Sequence, residues 1–370
     1  MQNNQSRPVM KLNQPDDNYK FRPFPKASGK YPYRLSVEPF APVDQDVLNF
    51  HMVGDTGSVR NPNFQHQVSS AMARQYSEEQ AIENKPAFLY HLGDIVYNFG
   101  EAASYPTQFF APYEHYPGAI FAIAGNHDSD INPEAETPYQ SLDAFKAVFC
   151  DSERQLLNFG SGTKRLSMVQ PNIFWTLETS LATFIGLHSN VPKYGVIPDE
   201  QRNWFLEELR YANSLRPEKA VIVCIHHAPY SADTNHGSSI PMISFLENAF
   251  EETNVRPDTV FSGHVHNYQR FHKTYADGKV VPFIVAGAGG FDELHSIAEI
   301  GDERYSDNHS AFENVELQNY CDNKHGFLKI SLNRQHPGGI ILRGEYYTLS
   351  SNEVGQSTTS LADKFEIMIN

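Results

Sequence analysis

Residues 47–57 read VLNFHMVGDTG: a seven-residue apolar-rich run, Val47–Val53, that stops at Gly54-Asp55-Thr56-Gly57. The habit recurs along the chain. Ala87–Leu92 runs into Gly93-Asp94-Ile95-Val96-Tyr97, Ala119–Ala124 into Gly125-Asn126-His127-Asp128, and Ala220–Ile225 into His226-His227-Ala228-Pro229. Thr259–Ser262 runs into Gly263-His264-Val265-His266, and Phe283–Ala286 ends in Gly287-Ala288-Gly289-Gly290. Short apolar runs bounded by small residues read as buried strands. Amphipathic stretches fall between them. Asn61-Pro62 reads as an N-cap with proline at the first helical position, opening a helix with Phe64, Val68, Met72 and Tyr76 on one face. Tyr139–Phe149 and Pro198–Ala212 read as helices, and Ile173–Leu187 as a hairpin turning at Glu178–Leu181. Gly326–Leu332 and Gly339–Thr348 alternate as late antiparallel strands. The chain is therefore α/β, and open α/β sheets bind ligands beyond the carboxyl ends of their strands. Six strands that deliver polar loops to one edge describe a single site.

The rest of the chain bounds what that site serves. At 370 residues there is room for one large domain or two, and 40% apolar content supports a sizeable core. A net charge of −15 argues against gripping nucleic acid or an anionic membrane by bulk charge. No apolar run approaches the roughly 18 residues of a membrane span. Three cysteines, Cys150, Cys224 and Cys321, are too few and too scattered for a disulfide framework or a cysteine zinc site, and Cys224 reads as inert core. The opening MQNNQSRPVMKLNQPDD lacks an apolar signal region, so a cytoplasmic location is the expectation. Residues 1–45, with seven prolines, read as an extended N-terminal arm on the surface; 46–350 as the main domain; 351–370 as a tail. Within the domain, 291–325 holds nine acids against two basic residues, which reads as a surface excursion or a lid. Sixteen histidines are many for an acidic chain and hint at metal chemistry.

Taken together, Asp55, Asp94, Tyr97, Asn126, His226, His264 and His266 offer two carboxylates, a phenol, an amide oxygen and three imidazoles. That is too many donors for one ion and suits two ions that share a carboxylate. Each motif alone is weak, since Gly-Asp after a strand is common. Five in order, each ending a strand, are hard to explain as unrelated turns.

In this order the motifs Gly54-Asp55-Thr56-Gly57, Gly93-Asp94-Ile95-Val96-Tyr97, Gly125-Asn126-His127-Asp128, Val223-Cys224-Ile225-His226 and Gly263-His264-Val265-His266 resemble the calcineurin-like metallophosphoesterases. Within them the chain is most similar to the purple acid phosphatases. The resemblance covers about residues 47–290, with a looser continuation to 348. Many relatives carry a ligating histidine at the third position of the first motif, where this chain has Gly57. Instead Tyr97 stands three residues after Asp94, where purple acid phosphatases carry an iron-bound tyrosine.

The resemblance implies a four-layer α-β-β-α sandwich of two mixed sheets with two metal ions at one edge. Fe(III) would take Asp55, Asp94, Tyr97 and His266. A divalent Fe, Zn or Mn would take Asp94, Asn126, His226 and His264, with Asp94 bridging. The donor chemistry agrees: the first set is mostly anionic oxygen, which suits a hard trivalent ion, and the second is richer in neutral nitrogen. A phenol with a pKa of about 10 ionises at neutral pH only beside a strong charge. The implied activity is hydrolysis of small phosphate monoesters by direct attack of a metal-bound hydroxide on phosphorus. His127, His236 and His227 would hold phosphoryl oxygens and protonate the leaving group, with Asp128 orienting His127. His188 reads as a packing histidine and Arg60 as a charge at a helix entry. Two alternatives stand beside this: a phosphodiesterase of cyclic nucleotides or phospholipid head groups, and a metal-binding scaffold without turnover.

Overall fold

The computed structural model describes all residues except 1–6, 42–43, 80, 82–83, 161, 352–356 and 370. Two mixed sheets carry the chain. One has six strands in the order Ser357–Ile369, Ile340–Ser351, Gly326–Arg334, Val47–Val53, Phe88–His91, Ala119–Ala122. The other has eight, in the order Val315–Cys321, Tyr268–Thr274, Val280–Ala286, Thr259–Ser262, Ala220–Ile225, Ala182–Leu187, Trp175–Glu178, Arg34–Ser36. The strands read from sequence as ending in polar loops form the parallel centres of both sheets.

The sheets face each other across an aromatic core. Phe50 and Phe88 of the six-stranded sheet meet Phe184 of the other, with ring centroids 5.0 and 5.9 Å apart. Phe121 meets Trp175 at 5.8 Å, and Tyr268 stacks on Tyr346 at 3.9 Å. Such pairs add directional preference to the burial of large rings. Helix Asn63–Glu78 covers the six-stranded sheet with Val68 and Met72 inward. Helices Asp199–Ser214 and Ile240–Thr253 pack together over the eight-stranded one. The result is helix, sheet, sheet, helix, as the resemblance implied.

The start of the first helix, Asn63–Glu78, matches its reading: Pro62 already has helical backbone angles and Asn61 Oδ1 accepts the Asn63 N–H at 3.3 Å. Other local expectations need correction. The helix expected over Tyr139–Phe149 starts at Asp143, since Leu142 sits in the left-handed region at φ 66°. Ile240–Thr253 is a helix not read from sequence; Ser239 Oγ caps the Met242 N–H at 3.2 Å and Asn254 ends it at φ 53°.

Described segments near both ends of the chain are built into sheets. Of the 1–45 arm, residues 1–6 and 42–43 lie outside the described residues. Met10–Lys11 pairs with Tyr305–Ser306, and Arg34–Ser36 adds a parallel edge strand beside Trp175–Glu178. There Arg34 clasps the fully buried Glu208 with bonds of 3.0 and 2.8 Å. The segment read as a tail holds the strand Ser357–Ile369, paired along Ile340–Ser351; a tail boundary at 350 cuts through this hairpin. The acidic segment 291–325 is tied down. The Asp292 carboxylate accepts Ser58 Oγ–H at 2.6 Å and the Arg60 N–H at 3.0 Å, and Val315–Cys321 closes the edge of the larger sheet.

Candidate metal centre

The parallel strands of both sheets end at one place, and the loops there turn sharply. Asp55, Asp94 and His264 all have positive φ (57°, 52° and 67°), unusual for residues with side chains and costly unless the surroundings hold them. The hold is visible. Asp55 Oδ2 accepts the His264 N–H at 2.8 Å, and Asp94 Oδ1 accepts the His127 N–H at 2.9 Å. Each carboxylate is thus fixed through one oxygen and presents the other inward. Gly125 makes room for this, since a Cβ there would lie 2.1 Å from Asp94 Oδ1.

All seven expected donors converge. Tyr97 Oη donates to Asp94 Oδ2 at 2.9 Å and lies 3.3 Å from both Asp55 Oδ1 and His266 Nε2. His266 Nε2 is 3.7 Å from Asp55 Oδ1. Beside this group, Asn126 Oδ1 is 3.1 Å from His226 Nε2 and 2.9 Å from His264 Nδ1. Asp94 Oδ2 is 3.3 Å from His226 Nε2, so one carboxylate oxygen belongs to both groups. Asp94, His226 and His264 offer atoms within 4.8 Å of one another.

The remaining hydrogen bonds test whether cations fit. His226 Nδ1 donates to the Leu92 carbonyl at 2.8 Å, and His266 Nδ1 to the Glu293 carbonyl at 3.3 Å. Both rings therefore turn Nε2 toward carboxylate and amide oxygens. Lone pairs facing lone pairs in a buried place call for a positive charge between them. Without metal, a proton serves at one point: burial pushes His226 down, but the Asp94 charge outweighs it and lifts the imidazole to about 9. Burial and neighbouring histidines hold His264 and His266 well below their ordinary value, in the neutral, ligating form. Burial likewise raises Asp55, with the Asp94 charge adding to it. For Asp94 burial also pulls upward, but His226, His127 and the hydrogen bonds hold it below the carboxylate range. Burial and the two carboxylates keep the Tyr97 phenol protonated in the metal-free protein.

Gly57 accounts for the departure in the first motif. A Cβ at this position would come within 2.8 Å of Tyr97 Cδ2 and 2.7 Å of the Ile95 carbonyl oxygen. The Tyr97 ring lies against the space a side chain at 57 would enter.

The three histidines expected outside the metal ligands border the same place. His127 is half-buried, its ring 4.4 Å from that of Tyr97 and its Nδ1 2.7 Å from the Asn98 carbonyl. His227 Nδ1 is 2.7 Å from Ser189 Oγ. The His227 and His236 rings lie 4.3 and 4.0 Å from His264. His227 Nε2, His236 Nδ1 and His264 Nε2 are buried atoms without a hydrogen-bond partner, a cluster of nitrogens that a bound oxyanion would satisfy. Asp128 does not orient the His127 ring. Its carboxylate accepts N–H groups of Ile95, Val96 and Gly125 at 3.0, 3.1 and 2.8 Å, locking the Asp94 and Asn126 loops together. His188 is buried beside Phe24, and Arg60 pairs on the surface with Glu293.

Two residues at the site escaped the sequence reading. Phe291 packs on Tyr97 and His266 at 4.3 and 4.4 Å, and His295 stacks on His266 at 4.4 Å with the rings 24° apart. Both follow the Gly287–Gly290 strand end, which pointed to the site; the acidic charge of the next residues drew attention instead.

Comparisons with known proteins agree with this geometry. The calcineurin-like phosphoesterase family model matches residues 48–268. Purple acid phosphatase 21 of Arabidopsis thaliana is 30% identical over 129 residues, which is 34% of this chain and 28% of that protein. Among solved structures, GAP50, described as the anchor in the inner membrane complex of Plasmodium, superposes with a TM-score of 0.56 at 14% identity, over 88% of this chain and 90% of that one. PhoD gives 0.52 at 12% identity, over 89% and 72%. At such identities the likeness is one of fold.

Proposed function

Because the chain belongs to the calcineurin-like phosphoesterase family, we propose that this metal-dependent phosphoester hydrolase acts on small phosphate monoesters, in the manner of an acid phosphatase, through two ions. The observation that carries the reading is the convergence of seven donors beside three partnerless imidazole nitrogens. Asp55, Asp94, Tyr97 and His266 would hold one ion, and Asp94, Asn126, His226 and His264 the other. Fe(III) suits the first set, with its carboxylates and phenol; divalent Fe, Zn or Mn suits the second. When bound, the ions supply Lewis-acid polarisation of the phosphoryl oxygens and activation of water at neutral pH.

The chain's own residues do the rest. His227 Nε2 and His236 Nδ1, both buried and without a hydrogen-bond partner, would hydrogen-bond phosphoryl oxygens. His127 donates Nδ1–H to the Asn98 carbonyl, which fixes the ring; once Nε2 takes up a proton from solvent, the imidazolium can pass it to the departing alkoxide and return to its neutral form. Gly125 and Asp128 hold the loops so that Asp94 cannot swing away. The scaffold reading draws on the anchor role of one protein of the same fold. Here all seven expected donor positions are filled by side chains that can ligate, which favours turnover. The deciding experiment is metal analysis joined to a panel of phosphomonoesters and phosphodiesters across pH. Two equivalents of metal and monoester turnover are expected. Preference for diesters would move the assignment to phosphodiesterase, and bound metal with no turnover would move it to a scaffold.

A further inference from the structure

His236 reaches the histidine cluster from the turn 233–238, and three parts of the chain hold that turn. Asp233, fully buried, accepts the N–H groups of His236 and Asn235 on Oδ2 at 2.7 and 2.9 Å, and its Oδ1 faces His295 Nδ1 at 3.5 Å. Next, Asn235 Nδ2 donates to His295 Nε2 at 3.3 Å. The backbone around His295 is laced to the same turn: Thr234 N–H to the Ser296 carbonyl at 3.0 Å, and Ala298 N–H to the Ala232 carbonyl at 2.7 Å. Last, the N-terminal arm closes over it. Lys11 Nζ donates to the Asn235 carbonyl at 3.0 Å, and the Ser238 N–H to the Val9 carbonyl at 2.7 Å.

Among the described residues, no lysine or arginine makes an ion pair with Asp233; the nearest ring nitrogen is Nδ1 of His295, 3.5 Å away. A carboxylate buried on those terms is costly, so what it holds matters. It holds the backbone N–H groups of Asn235 and His236 on Oδ2 and takes the Asn267 Nδ2–H on Oδ1 at 3.5 Å, while His295 Nδ1 lies 3.5 Å away without forming a hydrogen bond to it. The tautomer follows: Nε2 of His295 accepts from the Asn235 amide, so Nδ1 carries the hydrogen and faces Asp233. The His295 ring in turn lies 4.4 Å from His266 and 5.4 Å from His236, between an expected ligand and an expected phosphate-holding residue.

We propose that Asp233 and His295 are positioning residues that fix His236 against the phosphoryl-binding place, with Lys11 of the arm closing the clasp. The inference rests on the hydrolase reading above. Neither residue touches the substrate. Their effect runs through His236, whose displacement by about 1 Å is enough to cost on the order of a hundredfold in rate.

A double-mutant cycle on an aryl phosphate tests this. D233A and H295F are expected to lower kcat/KM at least tenfold in the otherwise unchanged protein. H295F keeps a ring on His266 but loses both nitrogens. In an H236A background each should change it less than twofold, because the group they position is gone. D233N keeps an acceptor for the two N–H groups and should restore most of the rate. If D233A does not fold, H295F alone completes the cycle with H236A. Competitive inhibition by inorganic phosphate should weaken in the same coupled pattern, with metal content unchanged. Equal losses in both backgrounds, or loss of metal, overturn the inference. A protein with no turnover that H236A leaves unaltered in phosphate binding contradicts the hydrolase reading itself.

Discussion

Replacing Tyr97 with phenylalanine separates a metal ligand from an ordinary hydrogen-bond donor. The ring lies between His127 and Phe291 at 4.4 and 4.3 Å and is 2% exposed, so the phenylalanine ring will keep its place. Without metal, the substitution removes the bond from Tyr97 Oη to Asp94 Oδ2 at 2.9 Å. A bond to a charged acceptor contributes about 1.5–3 kcal/mol. With an unfolding entropy of about 2.1 cal/mol/K per residue, that lowers the Tm of a 370-residue chain by about 2–4 °C. With iron bound, a phenolate ligand is lost as well. Supporting groups around a metal are worth up to about a hundredfold in affinity, and a direct ligand at least that. A hundredfold is about 2.7 kcal/mol, a further 3–4 °C removed from the gain in Tm on adding metal. Differential scanning fluorimetry of both proteins, apo and loaded with ferric and zinc ions, measures the two losses. The visible spectrum should lose the purple tyrosinate-to-iron band. An equal Tm loss in both states, with the spectrum unchanged, refutes ligation by Tyr97.

Other outcomes follow from the same geometry. Asn126→Ala removes the oxygen between His226 and His264 and should cut kcat/KM on an aryl phosphate by about a hundredfold or more, with loss of one equivalent of metal; retained activity places the chemistry elsewhere. His236→Ala should lower kcat/KM about 10–100-fold while metal content stays constant, and metal loss would make His236 a ligand. Burial holds His51, His91 and His188 near 3, so each is neutral when folded and takes up a proton on unfolding below about pH 6.5. The unfolded chain then binds more protons, and stability is lost as pH falls from about 6.5 toward 3, by about 1.4 kcal/mol per pH unit for each group. Urea unfolding followed by circular dichroism at pH 6.5, 5.5 and 4.5 checks this, and constant stability over that range contradicts it.

What could be read from the sequence was what lies next to a strand end. Asp55, Asp94, Asn126, His226 and His264 each follow a short apolar run by a few residues, so the rule that places ligands at the carboxyl ends of parallel strands located them. His295 follows its strand by nine residues and arrives through a loop tied by Asp292 to Ser58 and Arg60, contacts with no local signature. The same holds for the arm. Nothing in its prolines says that Arg34 will find Glu208, 174 residues away, or that Lys11 will reach Asn235. Asp128 was read as a partner of its neighbour His127, but both of its oxygens are taken by backbone N–H groups, which sequence proximity does not reveal. The final strand escaped because its first half, 357–362, is mostly polar and exposed on a sheet edge, which leaves the apolar alternation to the short stretch Phe365, Ile367, Ile369.

Anomalous diffraction from crystals loaded with iron and zinc bears most directly on the central claim. Two peaks about 3.5–4 Å apart are expected, one among Asp55, Asp94, Tyr97 and His266 and the other among Asp94, Asn126, His226 and His264. Peaks elsewhere on the molecule, or none among these seven side chains, would contradict the account.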